Sequence, residues 1–161
     1  MKSVQNTHNN ADFDDLHNAL LMIVATFNRP QRDELLIKAS SIQLDRALFP
    51  LLIQIGRFGP IGVVELAERV GRDYTTVSRQ VAKLEELALA QRQKNAKDKR
   101  INEAVITAAG KAMTDKIDAA RAQIYQTVFA HWQSEERDEL ARLLQKFVGD
   151  FTAIDRGTTA D

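Results

Sequence analysis

A mainly α-helical fold carrying one β-hairpin is what this sequence predicts, on three observations. Apolar residues recur at spacings of three and four over most of the chain, the period of a helix with one buried face. Residues 89–106 break that period and read as two short strands around a charged turn. Glycine (seven) and proline (three) are sparse and cluster mostly where turns are wanted.

Residues 1–11 read as a disordered polar tail, and 12–161 as one domain of about six helices plus a two-stranded hairpin. Leu16, Leu20, Ile23, Val24 and Phe27 form the stripe of a first helix, with Asp12, Asp14 and Asp15 at the positive end of its dipole. Pro30 ends or kinks it, and a short second helix follows through Leu35, Leu36 and Ala39. Leu44, Leu48, Leu51, Leu52 and Ile55 mark a buried helix that is kinked at Pro50 or starts around it. The run from Gly56 to Pro60 reads as a turn. A short helix from Val63 to Val70 closes at Gly71, a left-handed stop. Asp73 suits the N-cap of the next helix, Tyr74 to about Leu87. Strands follow at Leu89–Gln93 and Ile101–Ile106. Thr107 caps a helix reaching about Trp132, with Met113, Ile117, Ala120, Ile124 and Val128 on one face. Ser134, before Glu135 and Glu136, caps the last helix, whose stripe is Leu140, Leu143, Leu144, Phe147, Phe151 and Ile154.

The bulk numbers narrow the function classes. Apolar residues make up 44% and charged residues 27% of 161 positions, ordinary for a globular chain. There is no cysteine, which excludes disulfides, thiolate metal sites and thiol redox sensing. His8, His17 and His131 are scattered and show no metal-ligand spacing, so no metal and no cofactor is expected. The first residues lack the basic and apolar regions of a signal peptide. No apolar run nears the roughly 18 residues of a membrane span. A cytoplasmic protein is the expectation. Neither a nucleophile–base pair nor a glycine-rich phosphate loop is present, and the chain is not expected to be an enzyme.

Net charge is zero, with 22 basic and 22 acidic residues, but the charge is unevenly placed. Residues 69–100 hold nine basic side chains against four acidic ones, a net +5, which leaves −5 to the remainder. That asymmetry implies one surface for a polyanion on an acidic body.

The same stretch contains a helix-turn-helix pattern, from Leu66-Ala67-Glu68-Arg69-Val70-Gly71 to Thr75-Thr76-Val77-Ser78-Arg79. Small Ala67 permits close approach of two helices, and Gly71 supplies the turn between them. On a helical wheel Val77, Val81, Leu84 and Ala88 point inward. Thr75, Arg79, Ala82 and Glu86 point outward, flanked by Thr76, Ser78 and Lys83. Hydroxyls and cations thus occupy the end of the helix that a recognition helix pushes into the major groove. Thr75, Thr76, Ser78, Arg79 and Lys83 are its candidate DNA contacts. Five of the nine residues from Arg92 to Arg100 are basic and fall at the hairpin tip, as in a wing entering the minor groove. Lys94, Lys97, Asp98, Lys99 and Arg100 are the candidate wing contacts. The fold class expected is therefore a winged helix-turn-helix.

Glu65-Leu66-Ala67, Thr76-Val77-Ser78-Arg79, Leu84-Glu85, Asp98-Lys99-Arg100 and Ile106-Thr107-Ala108-Ala109-Gly110 together resemble the MarR family, over roughly residues 44–115. The resemblance implies a DNA-binding lobe over about 44–106 and dimerisation helices over about 12–40 and 107–156. It implies a homodimer on a palindromic operator of double-stranded DNA, usually a repressor released by a small-molecule effector. By matched position Arg100 enters the minor groove and Asp98 orients it. The family usually has glycine where this chain has Ala88. Either Ala88 takes the left-handed conformation, at roughly 1–2 kcal/mol, or the helix runs on and the wing starts later.

Dimerisation has its own warrant in the apolar stripes of the terminal helices, with Leu16, Leu20, Leu143, Phe147 and Phe151 as candidate interface residues. An isologous contact through them would set two recognition helices about 34–36 Å apart. His17, Phe27, Tyr125 and Trp132 are conceivable linings of an effector crevice, but ordinary packing accounts for each, and no ligand residue is assigned. Two other functions fit the same residues: an effector-independent architectural DNA-binding protein, and a winged helix used for protein contacts.

Overall fold

The computed structural model describes the backbone of residues 5–158, with side chains from 13 to 154 and at 157. Among them are seven helices and three short strands: α1 (Gln5–Phe27), α2 (Pro30–Ala39), α3 (Phe49–Phe58), β1 (Ile61–Gly62), α4 (Val63–Val70), α5 (Tyr74–Glu86), β2 (Ala90–Lys94), β3 (Asn102–Ile106), α6 (Ala108–Val128) and α7 (Ser134–Thr158). The chain divides into two compact units, Met1–Ala120 and Arg121–Asp161, with the boundary inside α6. The sequence expects a single domain from 12 to 161.

In the first unit the core is built from helices α3, α4 and α5 against the sheet. Leu51, Leu52, Ile55, Leu66, Val77, Val81, Leu84 and Ala104 are all fully buried, and each comes from a position where its helix or strand turns inward. The helices are short, so tertiary burial rather than propensity holds them. The sheet is antiparallel in the order β1-β3-β2. Ala90 pairs with Ile106 and Lys94 with Asn102 across the hairpin, and Ile61 pairs with Ala104 on its other side. The two-residue β1 carries no alternation to read, which is why the sequence predicts two strands and not three. It turns the inner strand β3 into a central one.

Several boundaries differ from the sequence reading, each for a local reason. The helix α1 begins at Gln5, inside the stretch read as tail. Pro30 starts α2 rather than ending α1, and Pro50 lies in the first turn of α3, the second of the two readings the sequence allowed, where a missing N–H leaves nothing unsatisfied. The turn read over 56–60 shrinks to Gly59-Pro60, because α3 continues through Gly56 to Phe58. Ala88 is not an inward-facing helical residue: it lies past the end of α5 and is exposed. At the start of α7, Ser134 is already helical. The capping interaction there is the Gln133 amide donating to Glu136 Oε2 at 2.8 Å, the reciprocal half of a capping box. The helix expected to reach Trp132 stops at Val128. In the second unit Tyr125, Phe129 and Trp132 stack edge-to-face in sequence, with centroids 5.8 and 5.1 Å apart.

Among the described residues no helix is long and apolar enough to cross a membrane.

Candidate nucleic-acid interface

The turn between α4 and α5 is set by backbone chemistry. Gly71 takes φ +65° and ψ 36°. The Arg72 amide then donates to Ala67 O (3.0 Å) and the Gly71 amide to Glu68 O (3.2 Å), the paired bonds of a Schellman end. Asp73, extended at φ −68° and ψ 153°, caps α5. Its carboxylate accepts from the Thr76 amide at 2.8 Å and from the Thr76 hydroxyl at 2.6 Å. Those two donors, the hydroxyl first, hold the Asp73 carboxyl below its usual range. Arg72 ties the turn to its surroundings, donating to Ala47 O at 2.6 Å and Gln80 Oε1 at 2.9 Å.

With Val77, Val81 and Leu84 buried, α5 turns Thr75, Arg79 and Lys83 to the outside. Thr75 and Arg79 carry no side-chain hydrogen bond or ion pair among the described residues. The other three predicted contacts on this helix are engaged within the protein. Thr76 gives its hydroxyl to the cap. Lys83 pairs with Glu86 at 2.7 Å, which raises its pKa. Ser78 accepts from Arg92 at 3.2 Å.

The helix ends as the first one does. The Leu89 amide donates to Leu84 O and the Ala88 amide to Glu85 O, both at 2.9 Å. Ala88 sits at φ +57°, so it accepts the left-handed conformation and the wing starts on time. Thr107 then joins three elements. Its hydroxyl donates to Ala88 O (2.6 Å) and accepts from the Gly110 amide (3.0 Å), while its amide donates to Leu89 O (3.1 Å). A Cβ on Gly110 would lie 2.0 Å from that same Leu89 O, so the threonine-x-x-glycine spacing is a packing requirement.

In the wing, Arg100 donates from Nε and Nη2 to the two Asp98 carboxylate oxygens at 3.0 and 2.9 Å. This fork holds Asp98 below the usual carboxylate range and leaves the Arg100 side chain 91% exposed. So open an ion pair adds little to stability; what it fixes is direction. The tip itself is folded by Asn95, whose Oδ1 accepts from the Lys97 and Asp98 amides, both at 2.8 Å. Asn95 Nδ2 in turn donates to Glu103 on β3. Lys94, Lys97 and Lys99 are exposed. Tyr74, at the head of α5, and Arg100 line one cleft of about 510 Å³, which brings the wing arginine beside the recognition helix.

Sequence reasoning missed four residues of this site: Glu85, Arg92, Asn95 and Glu103. Arg92 counts toward the basic run, but its partners lie on α5, and only the hairpin register brings them together. Glu103, on the strand the sequence predicted, is buried.

A helix presenting hydroxyls and a cation, set by a tight turn and flanked by a cationic hairpin, defines a winged helix-turn-helix DNA-binding protein. The MarR family model matches residues 44–101. The HTH-type transcriptional regulator YxaD of Bacillus subtilis (strain 168), itself uncharacterised, is 35% identical over 103 residues, covering 64% of this chain and 72% of the relative. The chain belongs to the MarR family of transcriptional regulators. It binds DNA to regulate transcription, and it is not an enzyme. Its fold is shared with a MarR family protein from Bacillus stearothermophilus (TM-score 0.70, 18% identity, 89% of this chain and 97% of that one). The PcaV transcriptional regulator from Streptomyces coelicolor, solved in complex with its natural ligand, is also similar (TM-score 0.51, 18% identity, 74% and 85% covered).

Proposed function

We propose that this protein is a homodimeric, cytoplasmic repressor that binds a palindromic operator and leaves it when a small molecule binds. The observation that carries the reading is an α5 face on which Thr75 and Arg79 are unengaged, together with an Asp98-oriented Arg100 that shares a cleft with Tyr74 at the head of that helix. Thr75, Thr76, Ser78, Arg79 and Lys83 serve the major groove, with Thr76 and Lys83 exchanging internal partners for phosphates. Arg100, oriented by Asp98, enters the minor groove, and Lys94, Lys97 and Lys99 meet the phosphates around it.

Two-fold pairing is supported by apolar side chains left open on the terminal helices. On α1 these include Phe13 and Leu16, and on α7 Leu143 and Phe151. Leu20 and Phe147, also assigned to the interface, are half-buried in the single chain. Release by a ligand is supported by a cleft of about 610 Å³ between α2 and the segment entering α3, lined by Asp33, Asp45, Arg46 and Arg72 among others. That volume suits a small molecule. Arg72 also holds Gln80 on α5, so a ligand that draws on Arg72 acts on the recognition helix. PcaV, similar in fold, is a transcriptional regulator solved in complex with its natural ligand.

Titration against DNA from upstream of its own gene and against a scrambled duplex, at two salt concentrations, tests the reading. The upstream duplex should bind at least about 10³-fold more tightly. Equal binding to both would point to an architectural protein. Arg100→Ala should weaken operator binding by roughly 5- to 100-fold, and an unchanged affinity would remove the wing from the interface.

A further inference from the structure

We propose that Arg92 is a positioning residue that locks the wing to the recognition helix and presents the Ser78 hydroxyl to DNA as a hydrogen-bond donor. This rests on the reading of α5 and the wing as the DNA-contacting elements.

Arg92 is the third residue of β2 and pairs with the fully buried Ala104 on the central strand, so its backbone is among the best fixed in the hairpin. Its Nη2 donates to the Ser78 carbonyl and lies 3.2 Å from Ser78 Oγ. Its Nε is 3.5 Å from Glu85 Oε2, and its own amide donates to Glu85 Oε1 at 2.8 Å. Ser78 and Glu85 are two helical turns apart on one face of α5. A single strand residue therefore grips α5 at mid-helix and again near its C-terminal end, through side chain and backbone together.

The polarity of that grip decides what Ser78 can read. A guanidinium has donors and no acceptor, whereas a hydroxyl has one proton and two lone pairs. Arg92 occupies a lone pair of Ser78 Oγ, and the hydroxyl proton has no acceptor within the protein among the described residues. Ser78 is thereby left with a proton to give. Its partners on DNA are acceptors: a phosphate oxygen, guanine O6 or N7, or thymine O4. Adenine N6 and cytosine N4, which donate, are left only the one remaining lone pair of Ser78 Oγ. Arg92 itself is two-thirds covered, with a side-chain exposure of 33%, and its Nη2 and Nε both face partners on α5.

A double-substitution cycle on the full-length protein separates positioning from direct contact. The probe is a duplex enriched by the wild-type protein from a random-sequence pool, with a scrambled duplex as reference. Arg92→Lys keeps the charge but loses the fork, and Ser78→Ala removes the hydroxyl. Each should cost about tenfold on the enriched duplex, with the slope of log affinity against log salt unchanged. Because both act through one hydroxyl, the double variant should be within about twofold of the weaker single variant. Losses that multiply, a salt slope reduced by about one, or wild-type affinity in Arg92→Lys would each overturn the proposal. Should Arg92→Lys unfold at the binding temperature, Glu85→Gln combined with Ser78→Ala decides the same question by the same criteria. Failure of the underlying reading has its own mark, which is Arg79→Ala and Arg100→Ala both retaining full affinity.

Discussion

Asp73 concentrates two demands on one carboxylate, closing the N-terminus of the recognition helix and holding the Thr76 hydroxyl. Both bonds favour the ionised form, so its pKa in the folded protein lies below the ordinary 3.8. A carboxyl whose folded pKa is depressed contributes stability above its unfolded pKa and loses it as pH falls through the folded value. The stability gap between wild type and Asp73→Ala should therefore be constant from pH 7 to about pH 5. It should close progressively as the pH drops below about 4. Urea unfolding followed by far-UV circular dichroism across that range measures it, and a gap independent of pH would show that the cap does not depend on ionisation. Asp73 was legible in the sequence because a cap acts within three residues. The Asp98–Arg100 fork was expected by matched position from the family resemblance, not from spacing alone. The Arg92 contacts were not, since seven and fourteen residues separate it from Glu85 and Ser78, and the hairpin register that joins them is a tertiary fact.

The two helix ends that frame α5 offer a matched comparison of elements. Both close with the same paired bonds and a left-handed residue, Gly71 at one end and Ala88 at the other. Nothing within 4 Å would meet a Cβ on Gly71, so Gly71→Ala tests backbone strain alone and should destabilise by about 1 kcal/mol. Ala88→Gly should do the reverse, with a gain of about 0.5–1 kcal/mol after the added freedom of the unfolded chain is counted. Denaturant midpoints at one fixed protein concentration measure both, and equal signs for the two would refute the strain argument. Gly110→Ala should be worse than either, by about 3 kcal/mol, because the new methyl is driven into Leu89 O and must part α6 from the start of the wing. At this scale the helices were readable from their periods, and the ends from glycine, aspartate and threonine. Proline was ambiguous, since the same residue that breaks a helix interior also opens one. At Pro50 the sequence left both readings open, and at Pro30 and Pro50 alike the proline opens a helix.

At the scale of the molecule, the charge divides into a +5 stretch over residues 69–100 and a compensating −5 elsewhere. A neutral protein can therefore bind a polyanion through one face, and the bond should be strongly sensitive to salt. The uneven placement of charge is a property of the sequence itself; the division into two units was not legible there, because its boundary falls within the continuous helical period of α6. The terminal helices supply the remaining argument. Val24 and Phe27 on α1 and Val148, Phe151 and Ile154 on α7 are each more than half exposed in the single chain. On each helix by itself, exposed apolar side chains in such numbers favour the proposed two-fold pairing. A closed two-fold pairing satisfies identical faces on identical chains without leaving a free end. Sedimentation equilibrium should therefore give twice the 18.1 kDa chain mass at micromolar concentration. Leu143→Glu together with Phe151→Glu should bring the mass to that of one chain, since two carboxylates would be buried without partners. The same variant should lose operator binding while α5 and the wing remain folded, because one winged helix reaches only a half-site. A wild-type monomer that binds the operator with full affinity would overturn the two-fold reading, and with it the expectation of a palindromic site.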